Sequence, residues 1–497
     1  MRSLTKAEKR NFKLYARRSD ANANAKFVQL FDAMDRLEEP DDQLLLERLP
    51  ILSSGQLSNL KRHLYGEIMT SLRLLYINKE IDIEIRQQID YARILYGKGL
   101  YLDALRILER IKQRAVDHHQ DILHLEILEF QKLIEARHVT RSRQVKNKMD
   151  LLLNESAQRS FITLQTSELI NINIQIHGYY IEHGHSRNAE EAEKVERYWQ
   201  EIQKPDNRRY ELQATFFERI NRFQSMMWYH YIRLDLQKAL EAAKSSVGLF
   251  GLNNPMILKD PDLYLRCQYY VGVMAYLRQD REELKRSESA LADYRKNQGE
   301  NSNDNTQSIA ATYHYLLNLN CQFLKENWGA ARQLMQKMLK LRQEKAIRMG
   351  QHRWLLFEYK FAALEFVAGN FSKALDYLNH IIDTKASLLR EELLISTRLL
   401  HLLCHYELGN LSLVDYHLTN IGRLLKRSQD SAQSHQLAIS GIRKLLRQAP
   451  GEQLVVFQQW RQELMDLQAI PYEHKANTYL QLHWWLDQKI AALGPHS

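Results

Sequence analysis

The chain has 497 residues, of which 18 are glycine and 8 proline, together about 5% against roughly 12% in average usage. So few turn-formers argue against an all-β architecture, and 44% apolar with 26% charged residues argues against wholesale disorder. The net charge of +9 on a chain of this length permits an acidic partner or nucleic acid without demanding either.

Three cysteines, Cys267, Cys321 and Cys404, lie far apart with no CxxC pair, which fits a reducing compartment rather than a disulfide framework. The first ten residues carry charges with no apolar run behind them, so no signal peptide is expected. The longest uncharged run, Asn305 to Leu324, contains Asn305, Gln307, His314, Asn318, Asn320 and Gln322, which hydrocarbon accepts only at a cost. A cytoplasmic protein without a membrane span is the expectation.

In chain order, residues 1–78 predict a helical N-terminal cap region whose clearest helix runs from Gln56 to Asn78. Prolines then disappear between 50 and 205 and again between 261 and 450, leaving stretches rich in good helix formers. Apolar spacing agrees at Leu105, Leu108 and Ile111, and at Leu375, Leu378, Ile381 and Ile382. Within these stretches a pattern recurs: Tyr91 to Leu108 and Phe361 to Leu378 each read helix, glycine (Gly99, Gly369), an aromatic two residues on (Tyr101, Phe371), then alanine (Ala104, Ala374) opening a second helix. The glycine permits the positive φ of a helix C-terminus, and the small alanine allows close approach of the two helices.

On these residues the chain resembles the tetratricopeptide repeat, whose antiparallel helix pairs carry this Gly-x-aromatic-x-x-Ala turn. The pattern continues at Gly409 to Val414, Glu326 to Ala331 and Leu234 to Ala239, with weaker copies near Leu284, Ala189 and Val145. The mean spacing between Ala104 and Val414 is about 44 residues, against a usual ~34, so the helices or connections must be longer. Eight residues before each anchor stand Tyr96, Arg137, Ile181, Tyr231, Tyr276, Phe323, Phe366 and Tyr406, six of them aromatic. Ile170 to Ile176 alternates apolar and polar like a strand, but its neighbours favour a helix there. Asn297 to Asn305 reads as a polar loop. Three closing helices, over Ser434 to Arg447, Glu452 to Leu467 and Glu473 to Leu493, complete the division: N-terminal cap 1–78, repeats 79–430, C-terminal cap 431–497. The fold implied is an all-α, right-handed α-solenoid of about eight antiparallel helix pairs.

Catalytic signatures do not emerge. Gly97-Lys-Gly99 lacks the third glycine and the preceding strand of a dinucleotide fingerprint, and no phosphate loop, HExxH or GxSxG occurs. His118, His119, Asp121 and His124 crowd one segment and His183 and His185 another, without the spacing that makes ligands converge. Neither a metal nor a cofactor is expected, and the chain is read as non-catalytic. The resemblance implies partner binding on the face lined by the first helix of each pair. Its register projects Arg93, Asn221, Gln224, Trp228, Tyr269, Tyr313, Asn320 and Tyr359 there, with Tyr231 beside Trp228. Tyrosine and tryptophan make good anchors because they bury much area with little rotamer loss. The family's Lys and Asn carboxylate clamp is not reproduced, so a free C-terminal peptide is not the expected ligand. The alternative is a nucleic-acid-associated or regulatory role for basic segments: residues 1–20, the run Arg137, Arg141, Arg143, Lys146 and Lys148, and Arg423 to Arg447. A peptide or protein partner is the first expectation.

Overall fold

A capping box starts the first helix: the Thr5 hydroxyl accepts from the Glu8 N–H while the Glu8 carboxylate accepts from the Thr5 N–H. The computed structural model describes residues 3–17, 26–37, 41–50, 53–77, 79–138, 147–203, 214–251, 255–298, 302–344, 347, 349–384, 391–427 and 432–494. Among these residues all regular structure is helical. The chain divides into two compact units, Met1–Leu164 and Gln165–Ser497.

The first unit begins with helices α1 (Lys6–Ala16), α2 (Lys26–Asp35), α3 (Asp42–Arg48) and α4 (Ser54–Tyr76). They close around Phe12, Phe27, Leu30, Phe31, Leu45, Leu57 and Leu64. Helices α5 (Ile81–Gly97), α6 (Tyr101–Asp117) and α7 (Asp121–Arg137) follow, with a separate core of Ile85, Ile89, Leu108, Ile111 and Ile127. Helix α8 (Lys148–His183) takes in Ile170 to Ile176, so the alternating segment is helical.

The second unit continues with α9 (Ala189–Ile202), α10 (Phe216–Ile232), α11 (Leu236–Gly248), the short α12 (Met256–Lys259), α13 (Pro261–Leu277), α14 (Arg281–Gln298), α15 (Asp304–Leu324) and α16 (Trp328–Gln343). Helices α17 (Gln351–Val367), α18 (Phe371–Asp383), α19 (Glu391–Glu407), α20 (Leu411–Arg427), α21 (Gln433–Arg447), α22 (Gln453–Leu467), α23 (Pro471–Leu480) and α24 (Leu482–Leu493) complete it. One continuous apolar core runs from Ile176 to Leu486. Each hairpin packs on the next, as α10–α11 on α13 and α17–α18 on α19. This is an all-α helical-repeat fold, in which each pair buries its apolar face mainly against its neighbours.

The turns are built alike. At Gly99, His119, Leu234, Gln279, Glu326, Gly369 and Gly409 the backbone takes a positive φ, and each stands two residues before a helix starts. The following N–H then reaches the carbonyl five residues back, as in Leu100 N–H to Leu95 O (2.9 Å), Asp280 N–H to Ala275 O (2.9 Å) and Asn370 N–H to Glu365 O (2.9 Å). This closing bond satisfies a carbonyl the helix leaves orphaned. Three of the seven positions are glycine; the others hold a side chain in left-handed backbone at a cost of about 1 kcal/mol. Three residues into the second helix, Ala104, Ala239, Leu284, Ala331, Ala374 and Val414 are all buried, which fixes the register of six repeats. Ala189 opens α9, and Val145 lies outside the described residues.

The C-terminal helices run past the ends of earlier hairpins. The His474 ring bonds the Leu277 carbonyl at 3.0 Å, and Tyr472 packs with Leu234 and Ala432. Trp484 meets Trp328 edge-on, while Trp485 packs near Phe366 and Tyr406. The Trp485 indole N–H and the Lys489 ammonium both donate to Glu407, at 2.7 and 2.6 Å. Glu473 accepts the Gln433 and Ser434 N–H groups at the start of α21, at 2.7 and 2.9 Å.

Candidate functional site

First helices of successive hairpins contribute to one cavity of about 170 Å³ in the second unit. Tyr180 of α8, Trp228 and Tyr231 of α10, Tyr269 of α13, Asn320 of α15, and Tyr359 and Lys360 of α17 line it, with Leu393 of α19. Helical spacing explains the convergence. Trp228 and Tyr231 stand one turn apart on α10, and Tyr269, Val273 and Tyr276 repeat the spacing on α13.

The walls are aromatic and interlocked. Trp228 stacks on His177 with ring centroids 4.2 Å apart and meets Tyr270 edge-on at 5.3 Å. Tyr269 lies flat on Tyr313 at 4.3 Å, and the Arg353 guanidinium covers Tyr313 while donating to its hydroxyl at 3.2 Å. The Tyr231 carbonyl accepts from His185 Nδ1 at 2.8 Å, which holds the end of α10. Burial pushes the Tyr270 phenol well above its ordinary range, so it stays neutral.

Two polar groups stand out in this lining. Asn320 is 6% exposed, and its Oδ1 has no hydrogen-bond partner. Leaving such an acceptor unmet costs about 1–3 kcal/mol. Lys360 is half-buried, with its ammonium 5.0 Å from the centroids of both Tyr276 and Phe323. Among the described residues it makes no hydrogen bond or ion pair. Desolvation pushes its pKa down to about 8.

No family model matches this chain, and no curated protein matches it. Among solved structures, the crystal structure of the apo form of RapI is similar over 77% of this chain and 98% of that one. The identity is 12% and the TM-score 0.40, a likeness too slight to carry an argument.

The residues projected from sequence fall into four groups. Trp228, Tyr231, Tyr269, Asn320 and Tyr359 share the cavity, and Tyr313 backs it through Tyr269. Asn221 and Gln224 stand on α10 away from it, each accepting from Asn173 of α8 at 3.2 Å. Arg93 is on α5 in the first unit, paired with Glu126 at 2.9 Å. Arg137 and Lys148 are exposed, whereas Arg141, Arg143 and Lys146 lie outside the described residues. Lys9 and Lys13 of the N-terminal basic segment pair with Asp35 and Asp32 at 2.5 and 2.7 Å.

The histidines singled out from sequence are separately engaged. His124 pairs with Glu155 at 2.9 Å, Asp121 with Arg159 at 2.5 Å, and the His118 ring contacts the Arg114 carbonyl at 3.0 Å. Sequence reasoning missed Lys360. Its signal was its position beside Tyr359, as the only lysine between Gln351 and Val367. All three cysteines are free and buried, and burial raises each thiol pKa, which keeps them unreactive.

Proposed function

We propose that this chain is a non-catalytic, tetratricopeptide-like interaction scaffold that holds a peptide or protein partner in the aromatic cavity of its second unit. The observation that carries this reading is the pair of uncommitted polar groups in that cavity, the Lys360 ammonium and Asn320 Oδ1. A partner segment whose apolar side chain fills the aromatic walls would satisfy both, with a carboxylate on Lys360 and a donor on Asn320. Desolvated charge pairs and aromatic pockets are where interface energy concentrates. The regular turn geometry supports the kinship with the repeat family. No described helix is long and apolar enough to cross a membrane, and a cytoplasmic setting suits the three free thiols.

The test is affinity capture with the full chain against its Lys360→Met and Asn320→Leu variants, each first checked for folding by circular dichroism. A partner retained by the parent after nuclease treatment and at moderate salt, and lost by both folded variants, supports the reading. Capture should also weaken as pH rises through about 8, because Lys360 must be protonated to meet an anion. A partner held equally by the folded variants, or released by nuclease, overturns it.

A further inference from the structure

Helices α19 and α20 bring three imidazoles together at a place the cavity does not use. His401 and His405 are one turn apart on α19, and His417 comes from α20. The centroids lie 4.6 Å apart for His401–His405, 4.7 Å for His401–His417 and 5.2 Å for His405–His417. One ring nitrogen from each falls within 4.8 Å of the others. Tetrahedral zinc with Zn–N bonds of about 2.0–2.1 Å would set these nitrogens ~3.4 Å apart, so side-chain rotation of about an ångström closes the gap.

The hydrogen bonding leaves a lone pair waiting. His401 is 5% exposed, and its Nε2 contacts the Asn379 side-chain oxygen at 3.0 Å. Because that oxygen only accepts, Nε2 carries the proton and Nδ1 is the bare acceptor. His401 Nδ1 is buried without a partner. An imidazole whose far nitrogen donates to an oxygen while the near one stays free is how proteins present histidine to a metal. The Asn410 side-chain NH₂ lies 3.2 Å from His405 Nδ1 and donates to it. His405 and His417 are half-buried, which opens the trio to solvent on one side.

The electrostatics agree. Burial pushes all three histidines below their ordinary range, His401 to about 3 with help from its two neighbours and Arg398. Arg398, the cation that His401 and His417 sense, opposes an incoming dication and favours an anionic fourth ligand such as hydroxide.

We propose that His401, His405 and His417 form a three-histidine site for a borderline divalent transition-metal ion, Zn²⁺ above all, with a fourth position open to solvent. Imidazole-only donors suit Zn²⁺ and exclude Ca²⁺ and Mg²⁺, which need oxygen ligands. The site closes the α19–α20 hairpin and is independent of the aromatic cavity.

The test uses the full chain stripped with a chelator. Calorimetric titration with Zn²⁺ should give one equivalent bound, and titration with Co²⁺ should give the visible absorption band of a tetrahedral site. His405→Ala and His417→Ala, at half-buried positions, should each weaken Zn²⁺ at least ~100-fold and abolish the band. Asn379→Ala should cost about 10–100-fold through loss of its hydrogen bond to His401. Failure to bind near one equivalent, a Co²⁺ spectrum without the tetrahedral band, or unchanged affinity in folded His417→Ala would each overturn the proposal. Ca²⁺ and Mg²⁺ serve as the negative controls.

Discussion

The two clearest copies of the repeat, α5–α6 and α17–α18, share their turn and differ in almost everything around it. Gly99 and Gly369 have φ of 80° and 74°, and Ala104 and Ala374 are both fully buried. Yet α5 buries three side chains, Ile85, Ile89 and Ala92, while α17 buries twelve, Glu358 and Glu365 among them. Matched positions show it directly: Tyr91 is 43% exposed where Phe361 is 0%, and Ile94 is 56% exposed where Leu364 is 1%. Helix α17 packs against α16, α18 and α19, and its Phe366 meets Trp485, whereas α5 packs against α6 and α7. The motif builds the hairpin; the number of neighbours decides what the first helix becomes. A helix surrounded on all sides can wall a cavity and hold an uncompensated charge. One with an open face, like α5, keeps charges such as Asp90 and Arg93 in exposed ion pairs.

The contrast is broken most directly by truncating the matched pair. Leu364→Ala should cost about 2–5 kcal/mol through a lost apolar contact and the cavity left behind. Ile94→Ala should cost no more than ~0.5 kcal/mol, since its side chain is mostly in water. Chemical denaturation of both variants measures the difference, and similar costs would contradict the account.

A smaller effect of opposite sign is expected at the preceding matched positions, Lys360 and Asp90. Lys360 is held below its ordinary pKa, so the unfolded chain binds more protons and stability rises with pH between about 8 and 10.5. Lys360→Met should therefore stabilise the fold at pH 7 by about 1–2 kcal/mol, allowing for partial exposure, and should flatten that rise. Asp90 is exposed and paired with Arg73 at 3.2 Å, so Asp90→Asn should change stability by less than ~0.5 kcal/mol. Thermal unfolding across pH 7 to 10 reads both.

The smallest effects should erase the contrast. Because the two turns are alike, Gly99→Ala and Gly369→Ala should each cost about 1 kcal/mol, equal despite the different surroundings. The exposed Gln279 occupies the same turn position with φ 58°, and Gln279→Gly should return ~0.5–1 kcal/mol. A cost at Gly369 far above that at Gly99 would place the packed neighbours, rather than the backbone, in control of the turn.

Local chemistry was legible wherever it acts within a few residues. Gly99, Gly369 and Gly409 announced their turns, and Ala104, Ala239, Ala331, Ala374 and Val414 announced the register. His119, Leu234, Gln279 and Glu326 adopt the same backbone with no glycine to announce it. Gly272 and Gly441 looked ordinary in sequence, but a methyl group at either would collide with Leu317 or Trp460. Of the cavity, Trp228, Tyr231, Tyr269, Asn320 and Tyr359 followed from register, while Lys360, and the unmet Oδ1 of Asn320, became distinctive only once the tertiary surroundings were visible. The spacing of His401 and His405 is itself a one-turn pair that converges on one face, but His417 comes from the following helix, and no period in the sequence points to it.

By itself, then, the sequence determined the helices, their pairing and the turn that joins each pair, since these depend on propensity, apolar period and the φ allowed to one residue. Tertiary structure alone decided which helices are surrounded, which polar atoms lose water without gaining a partner, and which histidines meet. Those outcomes depend on desolvation and on contacts between residues distant in the chain, and neither is encoded at any single position.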